Sequence, residues 1–382
     1  MTSAAAEHIE AALATVNDPE IRRPITELGM VRDIEVDEVG AVAVTVLLTV
    51  SGCPMRETIT RDVTAAVSAV SGVSSVDVRL DVMSPEQRQE LQSTLRGGQV
   101  AKEIPFARPE SLTKVIAVAS GKGGVGKSSV TVNLALAMAG QGRKVGILDA
   151  DIYGHSIPAM LGVADERPTQ VEEMIMPVPT QGLSVISIGM LKPRRDQVVA
   201  WRGPMLDRAL VQMLTDVYWG DLDVLLLDLP PGTGDMAMSV GQHLPSSEVL
   251  VVTTPQLAAS EVAERAGTMA SMMKQRVVGV IENMSYLVCP HCGDDHHIDV
   301  FGTGGGSTVA ATLSDRFGYD VPVLGRVPLD LRLRAGGDTG RPLVLSEPTA
   351  PAAQALSSIA EQLTARGRGL AGMHLGLTPA GR

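Results

Sequence analysis

Aromatic side chains are scarce in this 382-residue chain: three Phe, four Tyr and two Trp, 2% of the total. A surface that stacks bases on successive rings cannot be built from so few. Basic charge is in deficit too, with 32 Lys and Arg against 43 Asp and Glu, for a net charge of −11. Together these shortages argue against nucleic acid as a partner. The deficit is deepest at the front, where residues 1–98 hold 15 acidic side chains, eight Arg and no Lys. That reads as a solvated acidic face. No apolar run approaches the ~18 residues of a spanning helix, so no membrane partner is expected. Met1 to Glu10 has no basic stretch followed by an apolar core, so no secretory signal is read there and the expected location is the cytoplasm. Three cysteines, an odd number, do not make a disulfide framework.

What is present is the material of a folded protein, 45% hydrophobic and 20% charged. Residues 1–95 read as a small α+β domain. Ile9, Ala12, Leu13 and Val16 recur at helical spacing, with Ser3 as the cap and Asn17-Asp18-Pro19 as the stop. Val31 to Val36 and Val42 to Leu48 read as paired strands and Val76 to Val82 as a third. Arg56 to Val70 reads as a helix with Ile59, Val63, Ala66 and Val70 inward. Residues 96–113 carry Gly97, Gly98, Pro105 and Pro109 and read as a linker. Residues 1–95 are therefore expected to fold alone, and 112–382 to act without them. Over 114–366, apolar runs alternate with helical segments, with strands expected at 114–119, 144–149, 184–189, 223–228, 247–253, 276–282 and 322–327. The expected fold is α/β, a mostly parallel sheet with helices on both faces. Residues 367–382 are Gly-rich and read as a flexible tail.

Gly121-Lys122-Gly123-Gly124-Val125-Gly126-Lys127-Ser128-Ser129 fits a phosphate-binding loop, with an apolar run before it and Val130, Leu134 and Met138 at helical spacing after it. Glycines let backbone N–H groups turn towards phosphate oxygens, and the following helix N-terminus adds partial positive charge. Lys127 is expected at the β/γ-phosphates and Ser128 on Mg²⁺. Lys122 is a second lysine that an ordinary phosphate loop does not need.

Nucleotide hydrolysis also needs an acid on the metal side and a group that places the attacking water. Leu225-Leu226-Leu227-Asp228 is an apolar strand ending in a carboxylate, so Asp228 is the candidate for Mg²⁺. It runs into Pro230-Pro231-Gly232-Thr233-Gly234-Asp235, a stiff loop suited to sensing a γ-phosphate. A second strand ends in Asp149-Ala150-Asp151, with Asp151 as the candidate for orienting water and Asp149 as a help to the metal shell. No Asn-Lys-x-Asp guanine signature occurs. Asn283, at another strand end, is a candidate to read an adenine edge or to act as a turn residue.

Cys289 and Cys292 form a C-x-x-C before Gly293-Asp294-Asp295-His296-His297. One pair supplies two thiolates where a sulfur-ligated centre wants four. Three routes are open: a zinc site with the awkwardly adjacent His296 and His297, a redox dithiol, or two copies pooling four cysteines about one metal. Cys53 reads as a small buried hydrophobe, or as a reactive thiol at a helix start.

Taken together, the extra lysine at Lys122 makes the phosphate loop resemble that of the MinD/ParA-type ATPases. Asp149-Ala150-Asp151-Ile152-Tyr153-Gly154, Trp201-Arg202-Gly203-Pro204, Asp228-Leu229-Pro230-Pro231-Gly232-Thr233-Gly234-Asp235, Glu282-Asn283-Met284-Ser285 and the C-x-x-C resemble the Mrp/Nbp-type iron–sulfur cluster carriers. Asp18-Pro19-Glu20, Leu28-Gly29-Met30-Val31 and Gly52-Cys53-Pro54 resemble a SufT-like iron–sulfur assembly domain. The resemblance implies ATP and Mg²⁺, slow hydrolysis, a homodimer with a 4Fe–4S cluster bridging two C-x-x-C pairs, and apo iron–sulfur proteins as recipients. It implies that Lys122 contacts nucleotide across the dimer. His155 is a departure, standing where the family often has Pro. A positioning ATPase of the MinD/ParA kind and a zinc-pinned dimeric adaptor are the alternatives.

Overall fold

A computed structural model describes residues 2–37, 39–49, 55–95, 103–152, 154–192, 203–289 and 291–365. Helix α1 (Thr2–Leu13) leads into β1 (Val31–Val36), β2 (Ala41–Leu48), α2 (Arg56–Ser68), β3 (Ser75–Val82) and α3 (Pro85–Leu95). Then come β4 (Lys114–Ser120), α4 (Lys127–Gly140), β5 (Val145–Asp149), α5 (Ile157–Met160), β6 (Thr169–Val171), β7 (Met174–Met176), β8 (Val178–Thr180) and β9 (Leu183–Ser187). Next are α6 (Gly203–Thr215), β10 (Val224–Asp228), α7 (Asp235–His243), β11 (Glu248–Thr253), α8 (Leu257–Met272) and β12 (Arg276–Asn283). The chain continues through β13 (Leu287–Cys289), β14 (Gly293–Ile298), α9 (Gly305–Phe317) and β15 (Val323–Val327). It closes with α10 (Leu331–Thr339), α11 (Leu343–Ser346) and α12 (Pro351–Ala365).

Two compact units result. The first comprises Met1–Lys102, Arg167–Pro179 and Asp216–Gly220. Its β1 and β2 pair antiparallel, and β3 runs parallel to β2 after the α2 crossover. Alternation of Val42, Val44 and Val46 turns one face of β2 inward. Helix α2 meets the core with Ile59, Val63 and Val67. Ala66 and Val70 pack against the same core partly buried, and Val67 joins them fully buried, because 59, 63 and 67 keep the four-residue spacing of one helix stripe. Ser3 falls within α1 and not ahead of it, and α1 stops at Leu13, ahead of Asn17. Helix α3 was not expected from its mostly polar sequence. Its start is a capping box: Ser84 Oγ accepts the Gln87 N–H (3.2 Å) while Gln87 Oε1 accepts the Ser84 N–H (2.9 Å).

The β6–β7 hairpin belongs to this first unit, although the sequence reading gives its residues to the ATPase range. Val171, Met174 and Met176 are buried in one cluster with Ile9, Val44 and Ile59. Full burial of side chains of this kind is worth about 1.5–3 kcal/mol each.

The second unit holds a sheet whose strands run in the order β15-β12-β11-β4-β10-β5-β9. All seven of these strands run parallel to their neighbours. Alternate residues of β4 and β10 are equally buried, Ile116 and Val118 beside Ala117, Leu226 beside Leu225 and Leu227. Both faces are therefore covered, as parallel strands require. Helices α4, α10, α11 and α12 pack together, and α6 to α9 form a second group. No helix among the described residues is long and apolar enough to cross a membrane.

Candidate functional site

The phosphate loop follows β4, the strand between β11 and β10. Gly124 (φ 80°) and Gly126 (φ 81°) take left-handed backbone, which glycine adopts at little cost. Helix α4 starts at Lys127. Residues Lys122 to Ser129 line a cavity of about 200 Å³ together with Asp151, Ser156, Met160 and Pro231.

Beneath it lies Asp228, fully buried at the end of β10. Its Oδ2 accepts the Ser128 hydroxyl (2.6 Å) and its Oδ1 the Thr131 hydroxyl (2.7 Å). Lys127 Nζ sits 2.7 Å from Oδ2 as an ion pair without an aligned hydrogen bond. A hydroxyl and a carboxylate side by side are hard oxygen donors of the kind Mg²⁺ takes, so Ser128 and Asp228 fit that ion. Thr131 was not singled out from sequence. Its position one helical turn after Lys127 was the available signal.

Asp149 lies in register beside Asp228 on β5. It is fully buried, and its Oδ2 accepts the Ser187 hydroxyl (3.0 Å). Burial, then the Asp228 charge, pushes its carboxyl well above the usual range. Asp151 parts from it: β5 has ended, the Asp151 N–H donates to Asp149 Oδ1 (3.2 Å), and the carboxylate accepts the Gly154 N–H (2.9 Å) at the cavity wall. The loop after Asp228 is tied to β4 by Leu229 N–H to the Val118 carbonyl (3.2 Å) and Gly232 N–H to the Ser120 carbonyl (2.8 Å).

Lys122 Nζ donates to Gln256 Oε1 at 2.8 Å, within its own chain. Asn283 is 2% exposed, and its Nδ2 donates to the Val125 carbonyl (2.8 Å). The amide proposed for an adenine edge thus braces the phosphate loop, and a Cβ on Gly126 would strike it. Glu282, the residue before, is also buried. It accepts the Gly306 N–H (2.6 Å) at the first turn of α9 and the Ser285 hydroxyl (2.5 Å). His155 packs on Gly189, and its Nε2 lies 3.4 Å from Lys192 Nζ.

Cys289 and Cys292 occupy the turn of the antiparallel β13–β14 hairpin, the first buried and the second exposed. Backbone N–H groups of His291 and Cys292, then the Cys292 side chain, hold the Cys289 thiol below its ordinary pKa. This pair does not begin a helix, the usual setting of a redox dithiol. His296 and His297 are neighbours on β14 and so point to opposite faces. The His297 ring stacks on Tyr286, centroids 3.9 Å apart. Among the described residues no group of three or more His, Cys, Asp or Glu is placed to hold a metal ion. Cys53 and its neighbours, Tyr153, Trp201, Arg202, Pro290, 96–102 of the linker and the 367–382 tail lie outside the described residues.

Comparison with known proteins finds relatives in sequence and in fold. A family model described as NUBPL iron-transfer P-loop NTPase covers residues 111–364, and one described as iron–sulfur cluster assembly protein covers residues 6–78. The iron–sulfur cluster carrier protein of Mycobacterium tuberculosis is 60% identical over 374 residues, 98% of this chain and 97% of that one. The protein of the same name from Synechocystis is 41% identical over 360 residues, 93% of this chain and 95% of its own. A solved nucleotide-binding protein from Archaeoglobus fulgidus, in complex with ADP, is 38% identical with a TM-score of 0.54, covering 66% of this chain and 96% of that chain.

Proposed function

The chain belongs to the NUBPL iron-transfer P-loop NTPase family, and from that premise we propose that it is a homodimeric, ATP-binding carrier that delivers an iron–sulfur cluster to apoproteins. The observation that carries this reading is the half-site at the β13–β14 turn. Two adjacent thiols stand there, one of them acidified by backbone N–H groups, with no third ligand among the described residues. Thiolate is the form that binds iron. A Cys₄ cluster then draws two thiolates from each of two chains across a two-fold axis. The cluster is cargo, a 4Fe–4S unit in this reading.

ATP is bound by the phosphate loop. Lys127 would compensate phosphate charge, and Ser128 and Asp228 would hold Mg²⁺, whose chemistry would be electrostatic stabilisation of phosphate charge. Asp151, at the cavity wall, orients the attacking water. Lys122 reaches nucleotide from the partner copy, exchanging its Gln256 contact for a phosphate. Hydrolysis is slow because the nucleotide serves as a conformational switch.

The test is anaerobic reconstitution with iron and sulfide. The protein should turn brown, with broad thiolate-to-iron absorption and about two irons per chain. Cys289→Ala or Cys292→Ala should remove the colour and leave ATP binding intact. Tight zinc at one per chain, unchanged in the double cysteine variant, would overturn the carrier reading in favour of a zinc-pinned adaptor.

A further inference from the structure

The hairpin Thr169–Met176 lies outside the phosphate-cavity lining and the cysteine turn, and it is built into the first unit by four kinds of contact. Val171, Met174 and Met176 fill the apolar core of that unit. Thr169 Oγ1 donates to Glu20 Oε2 (2.8 Å), and Glu20 is itself a buried carboxylate of the Asp18-Pro19-Glu20 motif. Arg88 of α3 forms an ion pair with Glu172 at the hairpin turn (3.3 Å). The Ile175 N–H donates to the Asp216 carbonyl and the Tyr218 N–H to the Ile175 carbonyl, each at 2.8 Å.

The chain that enters this hairpin comes directly from the nucleotide pocket. Asp151, Ser156 and Met160 line the phosphate cavity, and Met160 is the last residue of α5. Only residues 161–168 separate it from β6. That stretch is short: eight residues span at most about 26–29 Å when fully extended. Its start is fixed as well, since the Leu161, Gly162 and Val163 N–H groups bond back into α5. A displacement of the pocket wall by nucleotide would be felt, through this strap of eight residues, by an element packed in the core of the first unit. Packed cores respond to such shifts by changing arrangement, because they do not deform continuously.

We propose that the β6–β7 hairpin is a transmission element through which nucleotide at the phosphate loop changes the N-terminal iron–sulfur assembly domain. The two parts of the chain then operate as one nucleotide-responsive device. This rests on the nucleotide-binding half of the function proposed above.

Amide hydrogen exchange on the full chain tests it, with and without Mg²⁺ and a non-hydrolysable ATP analogue. Binding is measured separately with a fluorescent ATP analogue. Nucleotide should change exchange by about threefold or more in peptides covering 41–48, 56–68 and 169–176. A second protein carries six Gly and Ser residues inserted between Asp165 and Glu166, which slackens the strap and leaves the hairpin sequence whole. It should bind the analogue as before and lose most of the response in 41–48 and 56–68. Binding by the wild-type chain with no response in those peptides would overturn the proposal and leave the ATPase reading standing. A response of undiminished size in the slack variant would overturn it too. Failure of the wild-type chain to bind nucleotide would remove both readings.

Discussion

Thr131 gives the sharpest test of how Asp228, the carboxylate proposed for Mg²⁺, is held. Asp228 is fully buried, and its Oδ1 receives the Thr131 hydroxyl at 2.7 Å. The same hydroxyl lies 3.0 Å from the Lys127 carbonyl, the longer of two contacts for its one proton. Thr131→Val keeps the shape and removes the donor. A hydrogen bond to a charged acceptor contributes roughly 1.5–3 kcal/mol, and here its loss also leaves a buried carboxylate oxygen without a partner. For a domain of this size, at about 2–4 °C per kcal/mol, that corresponds to a fall in Tm of roughly 3–12 °C. The carboxylate should also turn more freely, raising the Mg²⁺ concentration for half-maximal ATP hydrolysis by about tenfold, or 1.4 kcal/mol. Thr131→Ser should restore both. Calorimetry and a Mg²⁺ titration of ATPase rate read the two effects. A Val variant within about 1 °C of the parent, with an unchanged Mg²⁺ midpoint, would refute the assignment.

Gly126→Ala should weaken ATP binding by at least about tenfold in equilibrium dialysis, since it adds left-handed strain of roughly 1–2 kcal/mol and drives a Cβ into the Asn283 amide. Asp151→Asn should bind ATP and hydrolyse it poorly, while Lys127→Ala should abolish hydrolysis; a wild-type turnover number for Asp151→Asn would remove its water-orienting role. Burial, against the Thr169 hydrogen bond, pushes Glu20 from 4.5 up to about 7, with Asp18 adding repulsion. An acid whose pKa is raised by folding holds its proton better in the native state, so its contribution is full below about pH 4.5 and is lost as pH rises to about 7. The loss amounts to roughly 3 kcal/mol at most. Glu20→Gln should flatten that decline in urea unfolding of the full chain and be the more stable protein at pH 8; an unchanged slope would contradict it.

Much of the second unit could be read from sequence because its strands are short apolar runs closed by chemistry. Each of the seven expected strands exists, and Asp228 and the phosphate loop stand at adjoining strand ends. Periodicity reports burial, but it says nothing about which core a segment enters. Met174-Ile175-Met176 has the composition of an internal strand of the NTPase sheet, yet it fills the N-terminal core. The partner of a polar side chain is equally hidden. Asn283 at a strand end is compatible with reading a base, and only the fold brings the Val125 carbonyl 2.8 Å from its amide. The cysteine turn was legible as a pair, whereas its hairpin setting was not, because Gly293 to Ile298 is too polar to announce a strand.

The end of β12 has a further consequence. Gly302-Thr303-Gly304-Gly305-Gly306-Ser307 is a second glycine-rich turn opening a helix, so a search by pattern would count two anion receptors in this chain. At α9 the anion is already supplied covalently: the Glu282 carboxylate takes the Gly306 N–H that a phosphate oxygen would otherwise seek. The next side chain, Asn283, grips the backbone of the other glycine loop. Two consecutive residues therefore set different fates for two similar loops, one closed by a built-in counter-charge and the other braced from behind by an amide.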